Sequence, residues 1–330
     1  MAIAKGWGTP KGKLADYVNA TKGTILVGDI QAHMLKEHSK PSTRRQDIIH
    51  PSEMAKADWC PRSTYYRIQA CRDADDPYLK PDERVGVQLL NIFDEGHLIH
   101  DKWQKRLRDM GKLWGNWQCI YCKKNYKNCF GPDFCIKCDS TTLIYREVPL
   151  RSEQYLIAGH ADGAIPHLDA LIEIKSVGAG TVRIEAPDIY AAHTEGQKID
   201  LQGLWKAIQE PFPAHVRQGQ LYLALCAQMD LPFTKIIFIY EAKFNQGVKE
   251  FVVKYDPNYS KPLLQNAFAI VNALDFGGDI PSCPTGTCKD CEKYGSESTE
   301  RLGNEGNGSE SPSTAVRRPA GIARRIVRPS

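Results

Sequence analysis

Three residues carry the strongest chemical signal in this chain of 330 residues: Asp162, Glu173 and Lys175. In Leu171-Ile172-Glu173-Ile174-Lys175-Ser176, read as a strand, side chains alternate faces. Glu173 and Lys175 then point one way, and Ile172 and Ile174 point into an apolar layer. Alone, the dyad also reads as a solvated edge pair of little energetic worth. The upstream turn Gly159-His160-Ala161-Asp162-Gly163 adds a second acid, because one hairpin can set Asp162 beside Glu173. Two adjacent carboxylates repel unless a cation lies between them, and a hard divalent ion with oxygen ligands meets that need. Such an ion neutralises charge on a phosphate oxygen and lowers the pKa of water. A lysine beside it holds the attacking water or offsets developing negative charge. That inventory suits phosphodiester hydrolysis.

The elements that must position these groups follow from periodicity and from Gly, Pro and Asp punctuation. Residues 1–48 read as a loosely attached arm with room for one short helix, and residues 49–116 as a helical region. Within it, residues 81–110 form the longest helix candidate, with Val87, Leu90, Phe93 and Leu98 as an apolar stripe and Gly111 as the stop. Residues 117–140 form a cysteine-rich insert, and residues 141–294 a core with a C-terminal cysteine cluster. In that core, strands are expected at 147–150, 155–158, 170–176, 235–243 and 248–255, the last two as a hairpin. Helices are expected at 215–229 and 261–275, and a mixed stretch at 181–210. Residues 295–330 have almost no large apolar side chains and read as a disordered, basic-ended tail.

The order Asp162, then Glu173-Ile174-Lys175, resembles the signature of the PD-(D/E)XK nucleases. Downstream, His215-Val-Arg-Gln218-Gly-Gln-Leu-Tyr222 is similar to the Q-x-x-x-Y motif of their RecB-like branch, with Gln218 and Tyr222 on one helix face at i, i+4. Upstream, Gly96-x-x-x-His100 resembles the branch's metal-binding histidine; His97 competes with it on residue type, and the resemblance prefers His100. The motifs run in family order between Cys60 and Cys291, about two-thirds of the chain. The resemblance implies an α/β, restriction-endonuclease-like fold: a central mixed sheet flanked by helices, with an inserted zinc ribbon and a cysteine-stapled helical lid. It implies Mg²⁺ or Mn²⁺ held at Asp162, Glu173, His100 and Ile174, Lys175 as the water-positioning cation, and Gln218 and Tyr222 as supports. A histidine ligand favours Mn²⁺ somewhat. The implied activity is exonucleolytic hydrolysis of DNA, at single strands or ends, in recombination, repair or processing. Tyr240-Glu241-Ala242-Lys243 resembles a further family element, in which Lys243 either faces DNA or simply ends a strand.

Eleven cysteines are many for a chain expected in the cytoplasm. Cys119-x2-Cys122 and Cys135-x2-Cys138 stand twelve residues apart, a spacing that suits tetrahedral Zn²⁺. Cys129 lies between them and is not needed. This insert either stabilises its own fold or, through Lys123, Lys124, Tyr126, Lys127 and Lys137, grips DNA. Cys60-Pro61-Arg62 followed by Cys283, Cys288 and Cys291 resembles the iron–sulfur branch that includes AddB-type and CRISPR-associated "Cas four" nucleases. There, four such thiolates hold a 4Fe–4S cluster. The family shows a C-x2-C pair before a later Cys, whereas here the order is Cys283-x4-Cys288-x2-Cys291, and Zn²⁺ is the alternative occupant. Cys71 and Cys226 read as ordinary buried thiols.

Bulk properties agree without deciding. The chain carries 43 Lys and Arg against 39 Asp and Glu, a net charge of +4 that tolerates nucleic acid but does not demand it. No apolar run is long enough to cross a bilayer, and the first residues lack an apolar signal region, so the cytoplasm is expected. No Walker motif is present, so a helicase or recombinase would be a separate partner. Two rivals remain: a zinc and iron–sulfur DNA-binding module with a vestigial nuclease centre, and a structure-specific endonuclease of the same fold.

Overall fold

The computed structural model describes residues 26–40, 43–79, 85–289 and 291. Its helices in chain order are α1 (Val27–His38), α2 (Pro51–Met54), α3 (Pro61–Asp73), α4 (Val87–Asp109), α5 (Ala179–Glu185), α6 (Pro187–Ala192), α7 (Leu201–Ala207), α8 (Pro213–Gln228) and α9 (Pro257–Phe276). Its strands are β1 (Trp114–Cys119), β2 (Asn125–Phe130), β3 (Leu143–Tyr145), β4 (Val148–Ser152), β5 (Ile157–Ala161), β6 (Gly163–Ile165), β7 (Ala170–Val177), β8 (Thr194–Glu195), β9 (Lys198–Ile199), β10 (Lys235–Ala242) and β11 (Val248–Lys254). The tail expected to be disordered lies outside the described residues, as do the first residues of the arm.

A seven-stranded mixed sheet runs β11-β10-β7-β6-β1-β2, with β3 also on β1. β7 and β10 are parallel along their whole length, and their near-continuous apolar runs are those of strands covered on both faces. On one face, Ile172, Ile174, Ile237 and Ile239 pack with Ile99 and Leu107 of α4. On the other, Leu171, Ile236, Phe238 and Tyr240 pack with Leu221, Tyr222 and Leu225 of α8. The period-two alternation therefore puts Glu173 and Lys175 on the α8 side. The sheet is mixed and flanked by helices, as expected.

Helix α8 is buried on nearly every side from Gln218 to Cys226, because α2 and α9 cover the face that the sheet does not. Gly219 lets it lie close. A Cβ there would stand 2.9 Å from Phe238 Cζ and 3.0 Å from Ile236 Cγ2. Helix α4 starts at Val87, later than expected, since Gly86 is extended; Gly111, at φ +66°, follows its end. The two strands expected at 147–150 and 155–158 form one and two residues later. Glu147 and Leu156 adopt φ of +56° and +54°, which a strand does not accommodate. The mixed stretch resolves into α5, α6, the β8–β9 hairpin and α7. The arm contributes α1. Strands β1 and β3, which bracket the cysteine-rich segment, belong to the central sheet. No helix among the described residues is long and apolar enough to cross a membrane.

Candidate active site

Asp162 occupies the bend between β5 and β6, and its position follows from where β6 stops. β6 pairs with β7 only at Ala170, Leu171 and Ile172. Past that point the N–H of Ile174 needs another acceptor, and Asp162 Oδ2 takes it at 2.6 Å. Asp162 is thereby fixed against the strand that carries Glu173 and Lys175. Its other oxygen, Oδ1, lies 3.1 Å from His100 Nδ1 on α4. Burial disfavours the charged imidazole, but the hydrogen bond and charge of Asp162, with the charge of Glu173, outweigh it and raise the His100 pKa.

Glu173 is buried at 3% exposure. Its Oε1 accepts from Lys175 Nζ at 2.8 Å and from Gln218 Nε2 at 3.0 Å. Its Oε2 is buried and has no partner. Gln218 Oε1 accepts a second bond from Lys175 Nζ at 2.8 Å, and Gln218 Nε2 also donates to Tyr222 Oη at 2.9 Å. The amide thus has one orientation that serves lysine, glutamate and tyrosine together. Burial pushes the Glu173 carboxyl up, to about 7; the Asp162 charge adds to this and Lys175 opposes it. Burial also holds the Tyr222 hydroxyl neutral, well above its ordinary value.

Asp162, Glu173, Lys175, Ile174, His100, Gln218 and Tyr222 are therefore one cluster. His97 is exposed on α4 and stands outside it. Lys243 Nζ is engaged with the Ile92 carbonyl at 2.9 Å and Glu95 Oε2 at 3.3 Å, tying the end of β10 to α4. Glu241 is buried and bound by Lys102 Nζ and by Trp103 Nε1, the latter at 2.6 Å, on the α4 side of the sheet.

Two neighbours escaped the sequence reading. Gln104 Nε2 donates to the Asp162 carbonyl at 3.2 Å and to Glu147 Oε1 at 3.4 Å. Burial, and next the Asp162 charge, raise the Glu147 pKa. Gln104 lies four residues after His100, so helical spacing was the signal for it. Glu147 had no local signal.

The cysteines form two tetrads, Cys119/Cys122/Cys135/Cys138 and Cys60/Cys283/Cys288/Cys291, each with its sulfurs within 4.8 Å of one another. In the first, Tyr126 Oη donates to Cys135 Sγ at 3.3 Å and draws that thiol down to about 6. Four sulfurs this close, one already favoured as thiolate, fit a single tetrahedral ion. Cys129 stands apart, and Cys71 and Cys226 are buried singly.

No family model matches the chain, and no curated protein matches it. Among solved structures it is similar to SSO0001, at 16% identity over 77% of this chain and 89% of that one, with a TM-score of 0.35. It is also similar to the alkaline exonuclease LHK-Exo from Laribacter hongkongensis, at 11% identity over 78% of this chain and 96% of that one, with a TM-score of 0.40. Against LHK-Exo in complex with dAMP, the identity and coverage are the same and the TM-score is 0.41.

Proposed function

We propose that this chain is a divalent-metal-dependent deoxyribonuclease of the PD-(D/E)XK type, acting as an exonuclease on single strands or ends. The observation that carries the reading is Glu173 Oε2, a buried carboxylate oxygen with no partner beside a second carboxylate, Asp162. An unpartnered buried polar atom calls for an explanation such as an ion. A hard cation shared by the two acids both satisfies Oε2 and removes their repulsion.

Asp162, Glu173, His100 and the main chain of Ile174 would hold Mg²⁺ or Mn²⁺. When bound, the ion supplies Lewis-acid neutralisation of the phosphate. Lys175 has three N–H donors. Glu173 and Gln218 take two, which leaves one for the attacking water or a phosphate oxygen. Gln218 holds that ammonium in place, and Tyr222 fixes the Gln218 amide. His100 Nδ1 lies 3.1 Å from Asp162 Oδ1, so the neutral imidazole would be the form that serves as a ligand.

The test uses full-length protein with Mn²⁺ and three DNAs: end-labelled linear single strands, linear duplex, and closed single-stranded circles. Shortening of linear DNA with circles intact is expected, and Asp162→Asn and Lys175→Ala should abolish it. Failure to cleave any of the three overturns the nuclease reading, and cleavage of circles replaces exonuclease with endonuclease.

A further inference from the structure

We infer that Cys60, Cys283, Cys288 and Cys291 bind one tetrahedral ion of the zinc class, and that the iron–sulfur cluster implied by the family resemblance does not fit them. The inference stands apart from the nuclease reading, because none of these residues touches the Asp162 cluster.

The sulfur spacing decides it. Cys60 Sγ lies 3.3 Å from Cys291 Sγ, Cys288 Sγ lies 3.4 Å from Cys291 Sγ, and all four fall within 4.8 Å. Around one Zn²⁺ with Zn–S bonds of about 2.3 Å, tetrahedral geometry sets sulfurs about 3.8 Å apart. In a 4Fe–4S cube each thiolate binds its own iron and points outward from its own corner, which spreads the four sulfurs to roughly 6 Å. The observed tetrad is too tight for the cube and close to the single ion.

The other tetrad shows the same tight spacing. Its C-x2-C spacing suits zinc, and its sulfurs approach as closely, at 3.6 Å for Cys119–Cys138 and 3.4 Å for Cys122–Cys135. The local turns are built to hold thiolates, whichever metal those thiolates bind. Cys291 N–H donates to Cys288 Sγ at 3.5 Å across the x2 spacing, and Ser63 N–H donates to Cys60 Sγ at 3.4 Å from the first turn of α3. Both bonds stabilise thiolates converging on one point. The Cys283-x4-Cys288-x2-Cys291 order, which departs from the iron–sulfur pattern, is then unsurprising. The ion would staple the start of α3 to the segment after α9, where Arg62 Nε already donates to the Pro281 carbonyl at 3.0 Å; at the other end of α3, Arg72 pairs with Asp275 in the last turn of α9 at 2.6 Å. Zn²⁺ has no redox chemistry of its own, so the ion would serve as a structural staple.

Full-length protein is produced with iron and zinc both supplied, purified without oxygen, and analysed for metals, acid-labile sulfide and visible absorbance. A colourless protein with one zinc per tetrad and no iron or sulfide is the expected result. Cys288→Ser should lose one zinc and Cys122→Ser the other. Should either variant fail to fold, Co²⁺ reconstitution of the unaltered chain still reads the site, through the intense visible bands of tetrahedral Co²⁺–thiolate at both tetrads. A brown protein with iron and sulfide in cluster proportion overturns the inference. So does a disulfide among these four cysteines with no metal bound.

Discussion

The carboxylate of Asp162 accepts the main-chain N–H of Ile174 at 2.6 Å, twelve residues along the chain and just beyond the last pair of the β6–β7 ladder. One side chain thereby completes a strand edge and presents an acid to the neighbouring Glu173. Architecture and chemistry share an atom group here, and substitutions can separate them.

Asp162→Asn keeps an oxygen that can accept from Ile174 but removes the charge, whereas Asp162→Ala removes both. Asn should fold at near-normal stability and lose nuclease activity by at least about 100-fold, the scale of losing one preorganised electrostatic group. Ala should lose as much activity and also about 1–3 kcal/mol of stability, because the buried Ile174 N–H is left unpaired. Urea denaturation of the two variants, alongside cleavage of labelled DNA with Mn²⁺, checks this. Equal stabilities for Asn and Ala would contradict the structural role.

Gly219 tests the support rather than the site. In Gly219→Ala the new methyl would meet Phe238 and Ile236 at 2.9 and 3.0 Å, atoms fixed in the core of β10. Helix α8 must then move off the sheet, and it carries both Gln218 and Tyr222. A cost of about 1–3 kcal/mol is expected, the range for overpacking a well-filled core. Activity should fall as well, through kcat rather than KM, since the Lys175–Gln218 contact is displaced and no substrate contact is removed. A variant with unchanged midpoint and unchanged kcat would show that the close approach does not matter.

Much of the candidate cluster was legible because its signals are local. Period-two alternation placed Glu173 and Lys175 on one face, i, i+4 spacing placed Gln218 with Tyr222, and the family order joined these to Asp162 and His100. What could not be read depends on where strands end and on which distant segments meet. The Ile174 N–H bond exists only because β6 is short. Glu147 reaches the site from a left-handed residue between β3 and β4, a conformation its residue type does not announce. Lys243 illustrates the opposite case: its type suited DNA, but Glu95 and the Ile92 carbonyl occupy it. The C-x2-C pairs announced the first tetrad, while Cys60 and its partners, over two hundred residues apart, could be joined only by resemblance.

The Cys119 tetrad should matter to the active site through the sheet. Cys119 ends β1, and the same strand pairs with β6 at Trp114 and Ala164, two residues from Asp162. Arg108 of α4 also lies over Trp117 of β1, 5.0 Å from the ring centroid. Cys122→Ser should therefore lower the melting temperature, alter Trp fluorescence and reduce cleavage together. Charge reversal at Lys127 and Lys137 should leave stability within about 0.5 kcal/mol, as for most surface changes. If that reversal weakens DNA binding, measured by anisotropy, the segment also grips DNA; if it does not, the segment is structural.

The last prediction concerns pH, and its sign is unusual for a protein rich in carboxylates. Buried acids with raised pKa values and histidines with raised pKa values both make the folded state bind more protons than the unfolded chain. Glu173 is shifted from 4.5 to about 7 by burial, and His100 is shifted upward from 6.5 by Asp162 and Glu173 acting against burial. For both groups the folded, metal-free protein holds its proton through the window in which the unfolded chain releases it. Their contribution to stability should therefore fall as pH rises, beginning near the ordinary glutamate value and continuing past that of histidine, whereas His50, His160 and His215, whose pKa values burial lowers, contribute the opposite slope. Glu173 alone contributes about 3–4 kcal/mol of decline across its whole shift from 4.5 to about 7, at about 1.4 kcal/mol per unit. A divalent ion should reverse the trend, because it replaces those protons and binds more tightly as they leave. Thermal melts of chelator-treated protein between pH 5 and 8, with and without Mn²⁺, measure both effects. Glu173→Gln should flatten most of the metal-free dependence. The same metal-free pH dependence in the unaltered protein and in Glu173→Gln would show that Glu173 is already ionised without an ion beside it.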